Sequence, residues 1–456
     1  MNTRFPGLVR NLTLSLTIAC ASSAVAKVSE QEAKRLGSDL TPTGALAVGN
    51  AAGTIPAWTG GITEPPAGYK VGDFHPSPFP GETTLFTITA QNYKEYAEHL
   101  TPGQIALLKQ YDPGYFIPVY KTHRSASYPD WIYKKLKENA TAAILLEHGN
   151  GVKNTIATSP FPIPENGVEV IWNHTLRFRG EQAESRAAFV TPTQDGSFTP
   201  TIMDYEYYFT YSQPGMELAD IDNKIFYLRI KIMAPAKLAG TLNLVHETLD
   251  QIRSPRKAWR YEAGTRRLRR SPNLAYGTDF PNGASLRTVD QEDMYNGAPV
   301  QYTWELLGKK EIYVPYNAYK LHSGDLKLAD IVRPKHINQE LTRYELHRVW
   351  VVEGVLREGI GHVYAKRRLY FDEDSWHILL TEEYNSDDKL WRVSEAHTIN
   401  YYEVPTVWTT LSLTYDLKSQ RYLADGLDNE YRPINFSPDL NIKDFTTSAA
   451  RREAKR

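Results

Sequence analysis

The stretch Tyr344-Glu345-Leu346-His347-Arg348-Val349-Trp350-Val351-Val352-Glu353-Gly354-Val355-Leu356, with the runs His362–Phe371, Trp376–Tyr384 and Leu390–Tyr402 that follow it, decides the fold. These runs are rich in β-branched and aromatic residues, as strands are. The links between the later ones, Asp372-Glu373-Asp374-Ser375 and Asn385-Ser386-Asp387-Asp388, are short and polar. A parallel crossover needs a dozen or more residues, so such links join antiparallel neighbours. Working towards the N-terminus, the period of 2 extends back to residue 168, giving further strands at Glu169–Arg179, Asp204–Ser212, Lys224–Met233, Thr241–Arg253, Ala258–Glu262 and Thr265–Arg270. A strand of ten residues reaches about 33 Å, long for a sandwich. The expected fold is mainly β with α: a large half-open antiparallel β-barrel over residues 166–440, covered by N-terminal helices. No repeat of 20 to 50 residues is present, which excludes a propeller or solenoid.

Upstream, residues 27–165 read as an extended and helical region. Gly and Pro crowd residues 37–82, suited to wrapping a surface. Helices are expected at Ala90–Leu100, at Pro102–Tyr111, where Thr101 is the N-cap and Gln104 completes a capping box, and from Pro129 towards Glu147. Residues 1–26 read as an export signal: Arg4 and Arg10, an apolar run Leu12–Ala19, and a cleavage site at Ala24-Val25-Ala26. The run is too short to span a bilayer. Lipidation at Cys20 is disfavoured by Thr17 upstream of it, and cleavage after Ala26 removes the chain's one cysteine. Disulfides, thiolate metal sites and a cysteine nucleophile then go together. The location implied is the periplasm, with or without association to the outer membrane. Residues 441–456 read as a flexible tail.

With 52 Lys+Arg against 53 Asp+Glu the formal charge is -1, which argues against a nucleic-acid binder. Signatures of catalysis fail in turn. No Gly-x-Ser-x-Gly elbow occurs, and His246-Glu247 has no second His at metalloprotease spacing. Gly359-Ile360-Gly361 lies between strands and reads as a hairpin turn. The carboxylate pair Glu382-Glu383 has no identifiable partner geometry for glycan or lipid hydrolysis. His336, His347, His362, His377 and His397 share no ligand spacing, and Asp372-Glu373-Asp374 reads as a solvated hairpin tip; no metal and no cofactor are expected. The candidate sites are of another kind. A curved sheet needs an interior, and Trp172, Tyr207, Trp259, Tyr261, Trp350, Trp376 and Trp391 are the aromatics expected to line it and contact a ligand. A basic cluster, Arg256, Arg260, Arg266, Arg267, Arg269 and Arg270, is expected either to meet an anionic headgroup or partner or to pair with neighbouring carboxylates.

Several runs resemble an uncharacterised Gram-negative family, a domain of unknown function related to outer-membrane lipoprotein-sorting proteins. They are Pro160-Phe161-Pro162-Ile163-Pro164, Glu169–His174, Leu244–Gln251, Arg266–Asn273, Asn296–Pro299, Leu307–Glu311, Val314–Asn317, Arg343–Trp350 and Tyr370–Trp376. The resemblance implies the half-open barrel of the carriers LolA and LolB, whose apolar concave face holds acyl chains. It also implies association with resistance-nodulation-division exporters and an outer-membrane barrel protein, and it brings no catalytic residue. The expectation is a periplasmic carrier for a lipid or other hydrophobic ligand, with a non-catalytic assembly or adaptor factor for an exporter or barrel protein as the alternative.

Overall fold

The computed structural model describes residues 28–251, 253–271, 277–280 and 285–454; the proposed export signal lies outside them. The helices are α1 (Glu30–Ala33), α2 (Pro102–Gln110), α3 (Asp130–Ala142), α4 (Gly167–Leu176), α5 (Leu328–Ile331) and α6 (Thr447–Glu453). The first strands are β1 (Phe86–Ile88), β2 (Ile117–Val119) and a separate hairpin of β3 (Ile144–Leu145) and β4 (Val152–Lys153). Then come β5 (Gln182–Val190), β6 (Thr201–Tyr208), β7 (Lys224–Ala234), β8 (Leu242–Thr248), β9 (Lys257–Glu262) and β10 (Arg267–Arg270). The remainder are β11 (Tyr302–Pro315), β12 (Tyr344–Leu356), β13 (Lys366–Asp372), β14 (Ile378–Tyr384), β15 (Leu390–Tyr401), β16 (Thr406–Asp416) and β17 (Arg421–Asn435).

Among the described residues, fifteen strands form one sheet in the order β1-β2-β12-β13-β14-β15-β16-β17-β5-β6-β7-β8-β9-β10, with β11 also on β12. Apart from one parallel bridge, Tyr344 to Val119, the neighbours are antiparallel. Strand β10 pairs with β9 and not with the opposite edge, so the barrel is half-open as expected. The long hairpin strands fall where the sequence places them, Tyr344–Leu356 to the residue. Strands β1 to β5, β11, β16 and β17 were not expected; β11 and β17 are interrupted by bulges, the first at Gly308 (φ 95°).

One expected strand is a helix. Glu169–Arg179 lies largely within α4, where the Asn166 side chain accepts from the Glu169 N–H as N-cap. Eight of its ten residues are buried, Val170, Ile171 and Trp172 completely. Its polar residues Glu169, Asn173 and His174 are buried along with its apolar ones, so no solvated polar face sets off an apolar stripe of period 3.6. The stretch expected as the helix Ala90–Leu100 is a 3₁₀ helix over Tyr93–His99, and the one from Pro129 stops at Ala142. In place of a flexible tail, residues 442–453 form a 3₁₀ turn and α6, with Phe445 and Ala450 buried against Tyr227, Leu242, Leu244 and Tyr261.

Both faces of the sheet are covered. On one lies α4, with Val170 and Ile171 packed on Trp304, Val352, Leu369, Phe371 and Ile378. On the other lie α2 and the residues just beyond it, with Leu107, Leu108, Tyr111 and Tyr115 packed on Tyr344, Val393, Leu413 and Tyr415. All seven residues of β14 are buried in consequence. Polar residues caught between the layers are numerous. Glu395 is one: Tyr115 and Tyr344 each donate a hydroxyl to Oε1 at 2.9 Å, and Oε2 is buried without a partner among the described residues.

Burial pushes the Glu395 carboxyl up from 4.5 to about 7, against those two hydrogen bonds. Its folded value lies above its unfolded one, so its contribution to stability is intact below about pH 4.5 and lost as pH rises through about 7. Glu395→Gln removes that loss and is expected to gain on the wild type by about 3 kcal/mol between pH 4.5 and pH 8. Urea denaturation of both proteins across this range checks it; parallel stability curves would contradict it.

Candidate functional site

The α4 face of the sheet carries a hollow where β5, β6, β7, β16 and β17 meet. Cross-strand register builds its floor: Tyr207 opposes Leu228, and Ser185 opposes Tyr205. Antiparallel partners share a face, so these side chains point together. Ser412 opposes Asp425 on the far wall, and Phe226 and Trp408 complete an aromatic lining. Tyr207 stacks on Phe209 at 5.5 Å between ring centroids, and Trp408 meets Tyr207 edge-on at 5.6 Å. The cavity measures about 120 Å³. A neighbour of about 50 Å³, lined by Ile230, Val245, Phe280 and Val289, shares Phe226, Leu228, Glu292 and Asn296 with it.

Residues 285–296 close over this hollow and are held by ion pairs. Arg287 donates to Asp425 at 2.9 Å and Glu292 at 3.3 Å, and its guanidinium lies 4.2 Å from the centre of the Phe280 ring. Arg177 and Arg179, just beyond α4, each donate to Asp293 at 2.7 Å. Tyr205 donates to Asp425 at 3.2 Å and Tyr207 to Glu292 at 3.3 Å. Burial acts to raise the Asp293 carboxyl, but the two guanidiniums outweigh it and hold the group well below the usual carboxylate range. Burial raises Glu292 despite Arg287.

The arrangement is suited to binding and poorly suited to proton transfer. Thr409 on the cavity wall lies 2.9 Å from His377 Nε2, a hydroxyl–imidazole pair, but burial pushes this imidazole down to about 3, far from a base poised near neutrality. At about 30 Å³ per water the hollow has room for a few waters. Drug-sized ligands occupy roughly 300–1,000 Å³. As closed, the hollow accepts a ring or the end of an alkyl chain.

Of the aromatics expected to line an interior, Tyr207 does so. Trp172 is sealed in α4 with its indole N–H donating to the Gly149 carbonyl at 2.8 Å. Trp350 and Trp376 stack on each other at 6.2 Å beneath α4, away from the cavity, and the Trp376 indole donates to the Thr43 carbonyl. Trp391 donates to Asp416 and packs on Tyr364. Trp259 and Tyr261 lie on the opposite face, with the cluster under α6. The basic residues divide as well. Arg256 pairs with buried Glu247, its Nε donating at 2.6 Å, and lines the smaller cavity; Arg260 donates to Asn243. Arg266, Arg267, Arg269 and Arg270 are exposed, without a carboxylate within 4 Å among the described residues. Arg266 sits in the turn; register places Arg267 and Arg269 on the face of Arg260, and Arg270 on that of Trp259. Arg179, Arg287, Glu292, Asp293, Trp408 and Asp425 were missed: Trp408 and Asp425 lie on strands that were not expected, Arg179 ends a stretch read as a strand that is largely a helix, and the other three lie in a segment without periodicity.

The fold and site define a half-open antiparallel sheet whose hollow is plugged and ion-paired. The chain belongs to the family described as protein of unknown function (DUF1329), whose model matches residues 87–451, as the sequence resemblance implied. The uncharacterized protein PA3922 of Pseudomonas aeruginosa is 46% identical over 446 residues, covering 98% of this chain and 97% of that protein. Among solved structures, a putative outer membrane lipoprotein-sorting protein domain from Vibrio parahaemolyticus is similar at 12% identity and a TM-score of 0.41, covering 59% of this chain and 91% of that one. A DUF1329 family protein from Desulfovibrio piger gives 13% and 0.41, with 60% and 92% covered. The LolA superfamily protein NE2245 from Nitrosomonas europaea gives 14% and 0.36, with 62% and 99% covered.

Removing Arg287 leaves Asp425 and Glu292 facing each other in the hollow without their cation. Arg287→Met is expected to cost about 3–5 kcal/mol of stability, the usual result of breaking a buried pair from one side. Chemical denaturation measures this, and a loss under about 1 kcal/mol would show that the pairs do not hold the plug.

Proposed function

We propose that this chain is an exported, non-catalytic binding or carrier protein for a lipid or other hydrophobic molecule. The observation that carries the proposal is the aromatic and aliphatic lining of the paired cavities, Tyr207, Phe226, Leu228 and Trp408 continuing into Ile230, Val245 and Phe280. Burying apolar surface is worth about 25 cal/mol per Å², so such a lining retains a ligand without covalent chemistry. The closed volume takes the end of an acyl chain, and a longer ligand requires residues 285–296 to withdraw. Loading is then a competition between ligand and plug for one surface. Periplasmic location rests on the signal-like residues 1–26, and N-terminal sequencing of the exported protein tests it. Among the described residues no helix is long and apolar enough to cross a membrane.

Native mass spectrometry of protein purified without detergent is expected to show a bound small molecule, and delipidated protein to bind fatty acid or phospholipid saturably. Leu228→Trp, which fills the cavity, is expected to weaken binding by about 10-fold, as a loss of 1–2 kcal/mol of apolar contact would. A well-folded sample that binds neither class of lipid would overturn the proposal.

A second reading, an adaptor for an exporter or outer-membrane barrel protein, is favoured by the edge strand β10 and its turn, where Arg266, Arg267, Arg269 and Arg270 stand exposed. Charge on an edge strand also blocks edge-to-edge aggregation. Reversal at Arg266 and Arg270 separates the two roles: an adaptor loses capture of its membrane partner and keeps ligand binding. Unchanged capture would leave the arginines an edge-protecting role.

A further inference from the structure

The tip Asp372-Glu373-Asp374-Ser375 is not solvated, as its composition suggested, but buried: Asp372 is 0% exposed, Glu373 2% and Asp374 3%. Residues 43–56 of the N-terminal segment run across it. The Trp376 indole donates to the Thr43 carbonyl, Arg348 to the carbonyls of Leu46 and Val48, and Arg124 to those of Ala47 and Pro56. The antiparallel register of β12 and β13 sets Val349 opposite Asp372, which brings His347, two residues along β12, beside the tip. The turn closes with the Trp376 N–H on the Asp372 carbonyl and Trp376 at φ 60°. One ligand atom from each of His347, Asp372 and Asp374 falls within 4.8 Å of the others. A cation at about 2.0–2.2 Å from each donor spaces them by up to about 4.4 Å, so only a small contraction separates the two geometries.

Three observations point to a ligand at this place. Cations neutralise two of the tip carboxylates: Arg348 and Lys309 donate to Glu373 at 2.6 and 2.8 Å, and Arg124 is bidentate on Asp374 at 2.8 and 2.7 Å. Asp372 has no cation within 4 Å among the described residues, and a buried carboxylate without a counter-charge is costly. Its Oδ2 accepts from Tyr316 at 3.1 Å and Ser375 at 2.6 Å, while Oδ1 is fully buried without a partner. The third is behind His347, whose Nε2 lies 3.2 Å from Glu345 Oε2. Glu345 is itself fixed by Arg343 at 2.6 Å, Asn317 at 2.9 Å and the His123 N–H at 2.7 Å. A carboxylate on the far nitrogen orients a metal-bound imidazole, and it leaves Nδ1 as the free donor.

We propose that His347, Asp372 and Asp374 bind a divalent first-row transition cation, of the zinc or manganese kind, which fastens the N-terminal segment to the sheet. One imidazole with two carboxylates suits such ions better than calcium or magnesium, which favour oxygen ligands throughout. The ion supplies the positive charge that Asp372 lacks. Its role is structural, because the site is closed over by residues 43–56.

The test uses the full-length chain, stripped with chelator and returned to Zn²⁺ or Mn²⁺ alone, with Ca²⁺ for comparison. Inductively coupled plasma mass spectrometry is expected to find close to one Zn²⁺ or Mn²⁺ per chain, with a raised melting temperature and slower proteolysis between residues 43 and 56. Asp372→Asn keeps the shape and removes the charge; it and His347→Ala are each expected to weaken metal binding at least 10-fold. Should either variant fail to fold, Co²⁺ in the wild type gives an independent reading, a visible absorption band of a mixed nitrogen–oxygen site that Zn²⁺ abolishes. Folded wild type that takes up neither ion, uptake unchanged in both variants, or Co²⁺ without that band would overturn the proposal.

Discussion

A sheet covered on both faces leaves its carboxylates no water, and the rest of this structure depends on how that constraint is met. Antiparallel sheets usually keep one face solvated, with polar side chains turned outward. Here the outward residues of β12 to β16 meet the N-terminal segment, so acids on those strands must find partners inside the protein. Glu345 finds Arg343, Glu373 finds Arg348 and Lys309, and Asp290 on the α4 side finds Arg367. Each pair is strong where it is made and costly to break from one side. Among the described residues, Glu395 with two tyrosines, Asp372 with two hydroxyls, and Glu382 and Glu383 of β14 with only neutral donors are exceptions, and there the fold is under electrostatic load.

The same constraint shapes the hollow. A greasy interior could have been left open to a ligand; instead residues 285–296 enter with one basic and three acidic side chains: Arg287 meets Asp425 of the sheet and Glu292 of its own segment, Asp290 meets Arg367 of the sheet, and Asp293 meets Arg177 and Arg179 at the end of α4. Matched charges fix the plug in one register in a way that apolar packing alone does not. They also make it releasable. Charged side chains regain hydration on leaving, whereas a fully apolar plug would only expose its surface.

The strands were legible where a strand, a tight polar turn and its partner all lie within some thirty residues, as in 344–401. Two of those that escaped notice are broken: Gly308 bulges β11, and β17 slips register three times against β5 and carries Pro433. Helix α4 escaped for another reason: it is buried on nearly every side, its polar Glu169, Asn173 and His174 included. The site was less legible than the fold. Alternation along β9 separates Trp259 and Tyr261 from Arg260, but nothing in the residues says which face meets the hollow, since α6 supplies an apolar cover for the wrong one. Side chains of the plug come from a segment without period, and their partners Arg179 and Asp425 are more than a hundred residues away from it in sequence.

Helix α4 joins the two regions that the pairs define. His174 lies with Nε2 2.8 Å from the Asp293 carbonyl in the plug and Nδ1 3.1 Å from the Trp376 carbonyl at the buried tip. Burial and the nearby Arg177 push this imidazole well below its ordinary value, so it stays neutral and carries a single N–H. One N–H cannot serve two carbonyls at once, and the Ile378 N–H already points at Nδ1 from 3.2 Å. The proton therefore belongs on Nε2, donated to Asp293, with Nδ1 accepting from Ile378. Withdrawal of the plug would strip that N–H of its acceptor inside α4, a cost of about 1–3 kcal/mol that a ligand must offset by its own contacts with the hollow.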